Sequence, residues 1–378
     1  ARSTSSSRAA AAAAGSSTPE SSSSSSSKAT TRQRRQARED EDASPPTLPP
    51  QKSARRRMLW GGLAVLTAAG LFNLVRATSS EYVQGVRIVK SFPHATDAFT
   101  QGLCVGLDGA VYESDGIYGH SRVRLVDLET GDTKTGLKNE HRHFGEGLAF
   151  VADTVLLQLT WREKLMFEYD VSAGDIRKLR TLEQPFSGQG WGVAYDAVSG
   201  FVYFSDGTAK LHTFRRRVVG DAVSYDRAKP TQFVTDPRLG DLKIEGLNEL
   251  EMVGRELWAN VYPMRHHKAS NCVARIDPTT ATVTGWVDLN VLLSRQSHRV
   301  QARKLDFVLN GIAYDPRGEN RSRLFVTGKQ WDFLYDVDLV PLPLSKGTPE
   351  DHVRRHCSLY FPPDARGGSS SRARRDPS

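Results

Sequence analysis

The stretch FTQGL at residues 99–103 is the first copy of a repeat, because it returns at 144–148 as FGEGL with two residues changed. Three looser copies follow, GWGVAYD, LNELEMV and NGIAYD. Aligning the copies brings one position into register, with spacings of 45, 45, 57 and 62 residues, and this position holds Gly102, Gly147, Gly192, Glu249 and Gly311. A repeat near 45 residues is typical of a four-stranded propeller blade. The five copies therefore predict a five-bladed β-propeller.

The sequence between the copies supports an all-β body over residues 81–345. A second β-rich run follows each copy at a similar offset, and Gly/Asp turns separate the runs, as in AVYESDG, VLLQLTW, FVYFSDG, LWANVY and LFVTGKQW. The longer spacings in the later blades indicate insertions, which we place at 215–243, 263–270 and 291–305. The last of these, VLLSRQSHRVQARKL, has the pattern of an amphipathic helix.

The residue before each aligned position is expected to line the channel of the propeller, because the first strand of each blade is the innermost. These residues are Gln101, Glu146, Trp191, Asn248 and Asn310. A second group stands at the ends of the second strands and comprises Trp161, Tyr262, Lys329 and Trp331. Polar and aromatic side chains that converge at one end of a channel are typical of a pocket. Glu146 is the only carboxylate of the first group, and a buried carboxylate is costly unless it is hydrogen-bonded or functional.

The formal net charge of +8 is concentrated in the termini. Residues 1–57 contain 11 Lys/Arg against 5 Asp/Glu, and residues 364–378 contain 4 against 2, so the body is nearly neutral. A neutral body argues against a phosphate-tracking surface, and we expect no nucleic-acid partner. Residues 1–57 are rich in Ser, Ala and Arg with too little apolar material for a core, so we predict disorder there. Residues 346–378 are predicted to be a C-terminal segment with a disordered basic tail.

An uncharged apolar run at residues 58–75 follows three arginines. About 18 residues are just enough for a membrane-spanning helix, and the basic cluster before it predicts a cytosolic N-terminus and a lumenal body. We therefore expect a signal-anchor and a single-pass type II protein of the secretory pathway, in the endoplasmic reticulum or Golgi, that is secreted if the helix is cleaved. A cleaved signal peptide and a transit peptide are the alternatives.

The three cysteines, Cys104, Cys272 and Cys357, allow at most one internal disulfide, whose pairing is open. Their spacing is not that of a metal site, and the sequence shows no Asp/Glu/His ligand set. We therefore expect the reaction to need neither a metal nor another cofactor, while a structural cation in the channel stays open. We also expect a monomer.

Ten phrases of this sequence occur in the order known from one family: FPHATDAFTQGL, FGEGL, LTWREK, GQGWGV, SDGT, LNELE, WANVY, GWVDL, LNGIAYDP and FVTGKQW. From about Tyr82 to Leu339 the chain thereby resembles the plant-type, papaya-like glutaminyl-peptide cyclotransferases. The resemblance implies a five-bladed propeller. It also implies an enzyme that cyclises the N-terminal glutamine of peptides or proteins to pyroglutamate with loss of ammonia.

The resemblance further implies that Glu146, the acid of FGEGL, is the proton shuttle, and that Lys329 of TGK belongs to the pocket, where we expect it to be catalytic. The other pocket residues that it implies are Phe99, Gln101, Trp161, Trp191, Asn248 and Tyr262. Tyr262 departs from the family, which usually has tryptophan there. Lys329, Gln101 and the indole N–H groups are the candidate donors to an oxyanion.

Two other functions remain open. A metal-dependent propeller hydrolase, such as a calcium-dependent lactonase, would need several channel acids around one ion, whereas the first group contains one. A propeller that binds peptides without chemistry would tolerate loss of Glu146 and Lys329 but not of the aromatic residues.

Overall fold

The structure of the chain is a computed structural model that describes residues 81–263, 271–317, 322–344, 347–357 and 359. The tail predicted at 1–57, the helix predicted at 58–75 and the basic tail at 364–378 lie outside the described residues, as does nearly all of the insertion predicted at 263–270. Within the described ranges, no helix is long and apolar enough to cross a bilayer.

The described body is all-β, as the sequence predicts. Its strands are β1 (Val83–Pro93), β2 (Thr100–Val105), β3 (Val111–Asp115), β4 (Arg122–Val126), β5 (Thr133–Lys138), β6 (Gly145–Ala152), β7 (Val155–Thr160), β8 (Leu165–Asp170), β9 (Arg177–Glu183), β10 (Val193–Asp196), β11 (Phe201–Ser205), β12 (Lys210–Val219), β13 (Ala222–Arg227), β14 (Gln232–Phe233), β15 (Thr235–Asp236), β16 (Leu242–Lys243), β17 (Leu247–Val253), β18 (Glu256–Val261), β19 (Cys272–Asp277), β20 (Thr282–Asp288), β21 (Leu309–Asp315), β22 (Arg323–Gly328) and β23 (Phe333–Pro341). Its helices are α1 (Asn290–Ser294), α2 (His298–Ala302) and α3 (Pro349–His356), with a 3-10 turn at Pro237–Leu239.

Consecutive strands pair in antiparallel runs. The runs β2–β5, β6–β9 and β10–β13 form separate sheets, and β17–β20 and β21–β23 belong to a ten-stranded sheet because β1 pairs with both. The first strand of each run is innermost, since β2, β6, β10, β17 and β21 contact one another in a closed ring. The sheets are therefore arranged in a propeller-like fold.

The repeat glycines allow neighbouring innermost strands to approach closely. A Cβ on Gly192 would overlap the carbonyl O of Asn248. A Cβ on Gly147 would lie 2.6 Å from the carbonyl O of Trp191, and the Gly147 backbone N donates a hydrogen bond to that same oxygen at 2.7 Å. A residue without Cβ is needed wherever two backbones meet in this way. The aligned glycines are thus packing residues of the ring.

Glu249, which replaces glycine in the fourth copy, reaches the next innermost strand through its side chain. Its Oε2 accepts a hydrogen bond from the backbone N of Ile312 at 3.1 Å. Burial, and secondly the charge of Glu251, raises the pKa of the Glu249 carboxyl well above its usual range. In the fourth copy, the hydrogen bond of the Glu249 side chain therefore joins two neighbouring innermost strands, whereas at Gly147 and Gly192 the two backbones approach each other directly.

Strand β1 joins the last run of strands, β21–β23, to the run before it, β17–β20. It carries no copy of the repeat, and the sequence did not predict its position. It pairs antiparallel with β23 from Gln84↔Pro341 to Pro93↔Phe333, and its first residues pair parallel with β20. Behind this closure, Phe92 of β1 packs in one core cluster with Leu103 of β2 and Phe325 of β22. The first strand of the body thereby completes the last run.

The predicted insertions take different forms. Residues 215–243 contain the second half of β12, strand β13, three two-residue strands and the 3-10 turn. The single helix predicted at 291–305 is wrong, because the chain forms α1 and α2 with a break between them. At the break, the backbone N of Ser297 donates to Asp332 Oδ2 at 3.1 Å, and Arg299 Nη2 donates to Asp332 Oδ1 at 2.9 Å. These contacts with the loop after β22 override the helical periodicity.

Helix α3 lies in the C-terminal segment predicted at 346–378, within its described residues. A capping box between Thr348 and Asp351 begins the helix. A disulfide joins Cys357, at its end, to Cys272 at the start of β19, with a Cα–Cα distance of 5.3 Å. Cys104 is a buried free thiol. The pairing that the sequence left open is therefore Cys272–Cys357.

We expect Gly192→Ala to lower the free energy of unfolding by about 3 kcal/mol or more, because the new Cβ would overlap a backbone oxygen that cannot move aside. Urea unfolding followed by circular dichroism measures the change. Gly174→Ala is the control, since a Cβ there meets no atom within 4 Å and only its left-handed backbone would cost free energy, about 1 kcal/mol. Equal losses in the two variants would contradict the close-approach explanation.

Candidate active site

A cavity of about 250 Å³ at one end of the ring contains all eight predicted site residues. Its walls are formed by Phe99, Gln101, Phe144, Glu146, Trp161, Trp191, Asn248, Tyr262 and Lys329. Four of them precede an aligned repeat position, and the others flank the innermost strands or follow the second strands. The repeat therefore brings residues far apart in the sequence to one place.

Glu146 lies on β6 and is 4% exposed. Gln101 Nε2 donates to Glu146 Oε1 at 3.1 Å, and the hydroxyl of Ser114 donates to the Glu146 backbone O at 2.5 Å. Burial raises the pKa of the Glu146 carboxyl well above its usual range, and the opposing effect of Lys329 does not cancel it. A carboxyl with a raised pKa can both accept and return a proton near neutral pH.

Lys329 directly follows β22, where its backbone N donates to the carbonyl O of Val308 at 2.9 Å. Its ammonium lies 4.8 Å from the ring centre of Phe99 and 5.4 Å from that of Tyr262. Burial lowers the pKa of Lys329 to about 8, while the charge of Glu146 acts in the opposite direction. The two aromatic faces favour the charged form of Lys329 against this effect of burial.

The two amide side chains of the cavity differ in how they are held. Gln101 Oε1 accepts a hydrogen bond from Asn310 Nδ2 at 2.9 Å, so the Gln101 amide is fixed between Asn310 and Glu146. Asn248 is 2% exposed, and its Oδ1 has no hydrogen-bond partner among the described residues. Because an unpaired buried acceptor is costly, Asn248 Oδ1 is suited to receive a donor from a bound molecule.

Gln189 holds both tryptophan walls. Its Oε1 accepts hydrogen bonds from Trp161 Nε1 at 2.7 Å and from Trp191 Nε1 at 2.9 Å. Both indole N–H groups, which the sequence analysis names as candidate oxyanion donors, are therefore engaged by Gln189 in this structure. Tyr262 meets Trp191 edge-to-face, with ring centres 5.7 Å apart, and extends the aromatic wall.

The remaining members of the predicted groups lie outside the cavity walls. Asn310 is fully buried and supports Gln101, as described above. Trp331 is also fully buried, and its Nε1 donates to the carbonyl O of Phe307 at 2.8 Å. Both occupy the expected repeat positions, but their side chains serve the packing around the cavity.

Two residues of the site were missed from the sequence. Phe144 packs against Trp161, with ring centres 5.3 Å apart, and the repeat could have identified it, since it occupies in FGEGL the place of Phe99 in FTQGL. Gln189 gave no such signal, because its role depends on where two distant indoles meet.

Known proteins resemble this chain over most of its described length. The family profile of glutamine cyclotransferase matches residues 63–339. A glutaminyl-peptide cyclotransferase of Arabidopsis thaliana is 35% identical over 281 residues, which cover 74% of this chain and 78% of that protein. The crystal structure of Myxococcus xanthus glutaminyl cyclase has 31% sequence identity, with 69% of this chain and 99% of that chain covered and a TM-score of 0.56. The resemblance seen in the sequence is thereby confirmed.

We expect Gln189→Leu to leave two partly buried indole N–H groups unpaired, which costs about 1–3 kcal/mol for each group that water cannot reach. In ¹H–¹⁵N spectra, the indole signals of Trp161 and Trp191 should shift and exchange faster with solvent, and that of Trp258 should not change. Gln189→Glu keeps an acceptor oxygen and should restore the protection. Unchanged Trp161 and Trp191 signals in Gln189→Leu would contradict the hydrogen bonds from these two indoles to Gln189.

Proposed function

The chain belongs to the glutamine cyclotransferase family, and we propose that its cavity holds the N-terminal glutamine of a peptide while Glu146 moves the proton that ring closure requires. The family and the Arabidopsis relative indicate glutaminyl-peptide cyclotransferase activity. The observation that carries the proposed mechanism is the buried Glu146 carboxyl, with its raised pKa, in the same cavity as Lys329.

The cavity suits one residue at a chain end. Its volume of about 250 Å³ is at or below the lower end of typical ligand pockets, roughly 300 Å³. The reaction needs a flexible glutamine side chain to bend until its own α-amine meets its γ-carboxamide. Phe99, Phe144, Trp161 and Trp191 offer flat apolar walls that restrict this motion. Such placement can be worth several kcal/mol of the barrier.

Glu146 acts as base and then as acid. The neutral α-amine nitrogen attacks the side-chain carbonyl carbon, a C–N bond forms, and Glu146 takes the proton that the nitrogen loses. Protonated Glu146 then gives this proton to the departing amide nitrogen as its C–N bond breaks, and ammonia leaves. Atoms balance without any further reactant, and Glu146 returns to its starting state.

Three other side chains stabilise the oxyanion or form hydrogen bonds with the substrate in this scheme. The Lys329 ammonium stabilises the oxyanion of the tetrahedral intermediate, since a charged donor in a water-poor site is effective there. Gln101 donates one N–H to Glu146 and has a second N–H for the substrate. Asn248 Oδ1, which has no partner among the described residues, accepts a hydrogen bond from the α-amine.

The fold of the catalytic body is proposed to be a five-bladed propeller. The closed ring of five innermost strands and the five copies of the repeat support this count. Each blade then consists of one run of four strands, with β1 as the fourth strand of the last blade.

We also propose that the apolar run at 58–75 anchors the enzyme in a membrane of the secretory pathway, with the body on the lumenal side. The Cys272–Cys357 disulfide supports an oxidising compartment. Protease treatment of sealed microsomes should leave the body intact and should digest it only after detergent is added. A body that is digested in sealed vesicles would contradict this orientation.

The test of the mechanism is ammonia release from a Gln-initiated dipeptide by the full-length protein, with and without a strong chelator. Glu146→Gln should lower the turnover number by about 10²–10⁴-fold, the range typical of a positioned acid–base group. Glu163→Gln is the control, because this nearby carboxylate acts on Glu146 only through its charge and is not part of the cavity wall, so its loss should lower the turnover number far less.

Each alternative has its own outcome in this experiment. Near-normal release by folded Glu146→Gln would contradict the shuttle. Release that stops in chelator would favour the metal-dependent hydrolase class. A folded wild-type protein that binds the dipeptide but releases no ammonia would favour the non-catalytic propeller.

A further inference from the structure

Three potential metal ligands meet outside the catalytic cavity, between the end of β20 and helix α3. Asp288, His352 and His356 each offer one ligand atom, and these atoms lie within 4.8 Å of one another. His352 Nε2 is 2.7 Å from Asp288 Oδ2, and the two imidazole rings stack with centres 4.2 Å apart. None of the three residues belongs to the wall of the catalytic cavity.

The fold fixes this arrangement from both sides. His352 and His356 are four residues apart on α3, so their side chains lie on one face of the helix. On the sheet, Cys272 is the register partner of Asp288, and its disulfide partner Cys357 is the residue after His356. The covalent link therefore brings the last turn of the helix to the strand pair that carries the acid.

The carboxylate is oriented by its own neighbour. The backbone N and Nδ2 of Asn290 both donate to Asp288 Oδ1, at 2.8 and 2.7 Å. This leaves Oδ2 to face His352. Hydrogen bonds that fix a ligand in this way are typical of metal sites, where they raise affinity.

The cations of α3 have other partners. Arg354 Nη2 donates to the carbonyl O of Leu239 at 3.2 Å. Hydrogen bonds with Thr348, and secondly the charges of Arg355 and Arg354, lower the pKa of the Asp351 carboxyl, so both arginines also act on this acid. A cavity of about 320 Å³ is lined in part by Asp288 and Asn290.

We propose that Asp288, His352 and His356 form a binding site for a divalent transition metal, with zinc as the best match. Two imidazole nitrogens and one carboxylate oxygen are a donor set that zinc accepts, and water can occupy the fourth position. Because the ligands come from β20 and α3, the ion stabilises the attachment of the C-terminal helix to the body. The site is structural, and cyclisation in the other cavity does not depend on it.

The test adds Zn²⁺ alone to untagged full-length protein that has first been dialysed against a chelator. We expect one zinc per chain in equilibrium dialysis and, at zinc about 100-fold above its dissociation constant, a rise of the thermal midpoint by roughly 5 °C. Asp288→Asn, His352→Ala and His356→Ala should each weaken zinc binding at least about tenfold.

Two controls decide whether zinc binds at this place. His298→Ala, which removes an exposed histidine of α2 outside the cluster, should bind zinc as the wild type does. Asp288→Asn changes the shape of the side chain little, so it should fold and still test the site if a histidine variant fails to fold. Absence of bound zinc would overturn the proposal. So would zinc binding that survives the three substitutions, or that is lost instead when the adjacent histidines His266 and His267, which lie outside the described residues, are replaced.

Discussion

The close approach of neighbouring innermost strands is the constraint on which the rest of the structure depends. At Gly147 and Gly192 the backbone of one run meets the backbone of the next with no space for a Cβ. Successive side chains of a strand point to opposite faces. Where the repeat glycine packs against the neighbouring innermost strand, the residue before it therefore points away from that strand. The residue before each glycine can therefore face the end of the channel, as Gln101 and Glu146 do in the cavity wall.

The cavity contains two buried ionisable side chains, which a hydrophobic core normally lacks. Glu146 and Lys329 are both nearly fully buried, and burial shifts their pKa values in opposite directions, each toward the neutral form. Removing two ionisable groups from water costs free energy that their mutual attraction offsets only in part. Such an arrangement is typical of a site retained for chemistry.

The repeat made most of the site predictable from the sequence. A fixed position in each copy predicts a fixed level in the ring. This relation identifies Gln101, Glu146, Trp191 and Asn248 from the sequence. Applied to the position of Phe99, it would also have identified Phe144. Residues outside the repeat gave no comparable signal. Gln189, the β1 closure and the Cys272–Cys357 pair depend on contacts between segments distant in sequence. The helical pattern at 291–305 failed because hydrogen bonds to Asp332 govern that segment.

The most direct test of the account is the titration of the Glu146 carboxyl itself, because a proton carrier in a buried site must have a raised pKa. Infrared difference spectra between wild type and Glu146→Gln, recorded across pH, isolate this carboxyl from Glu249 and Glu251, whose pKa values are also raised. The protonated carboxyl band of Glu146 should persist well above pH 4.5, the ordinary pKa of glutamate. A band lost at or below pH 4.5 would show an ordinary surface-like acid and contradict the proposed role.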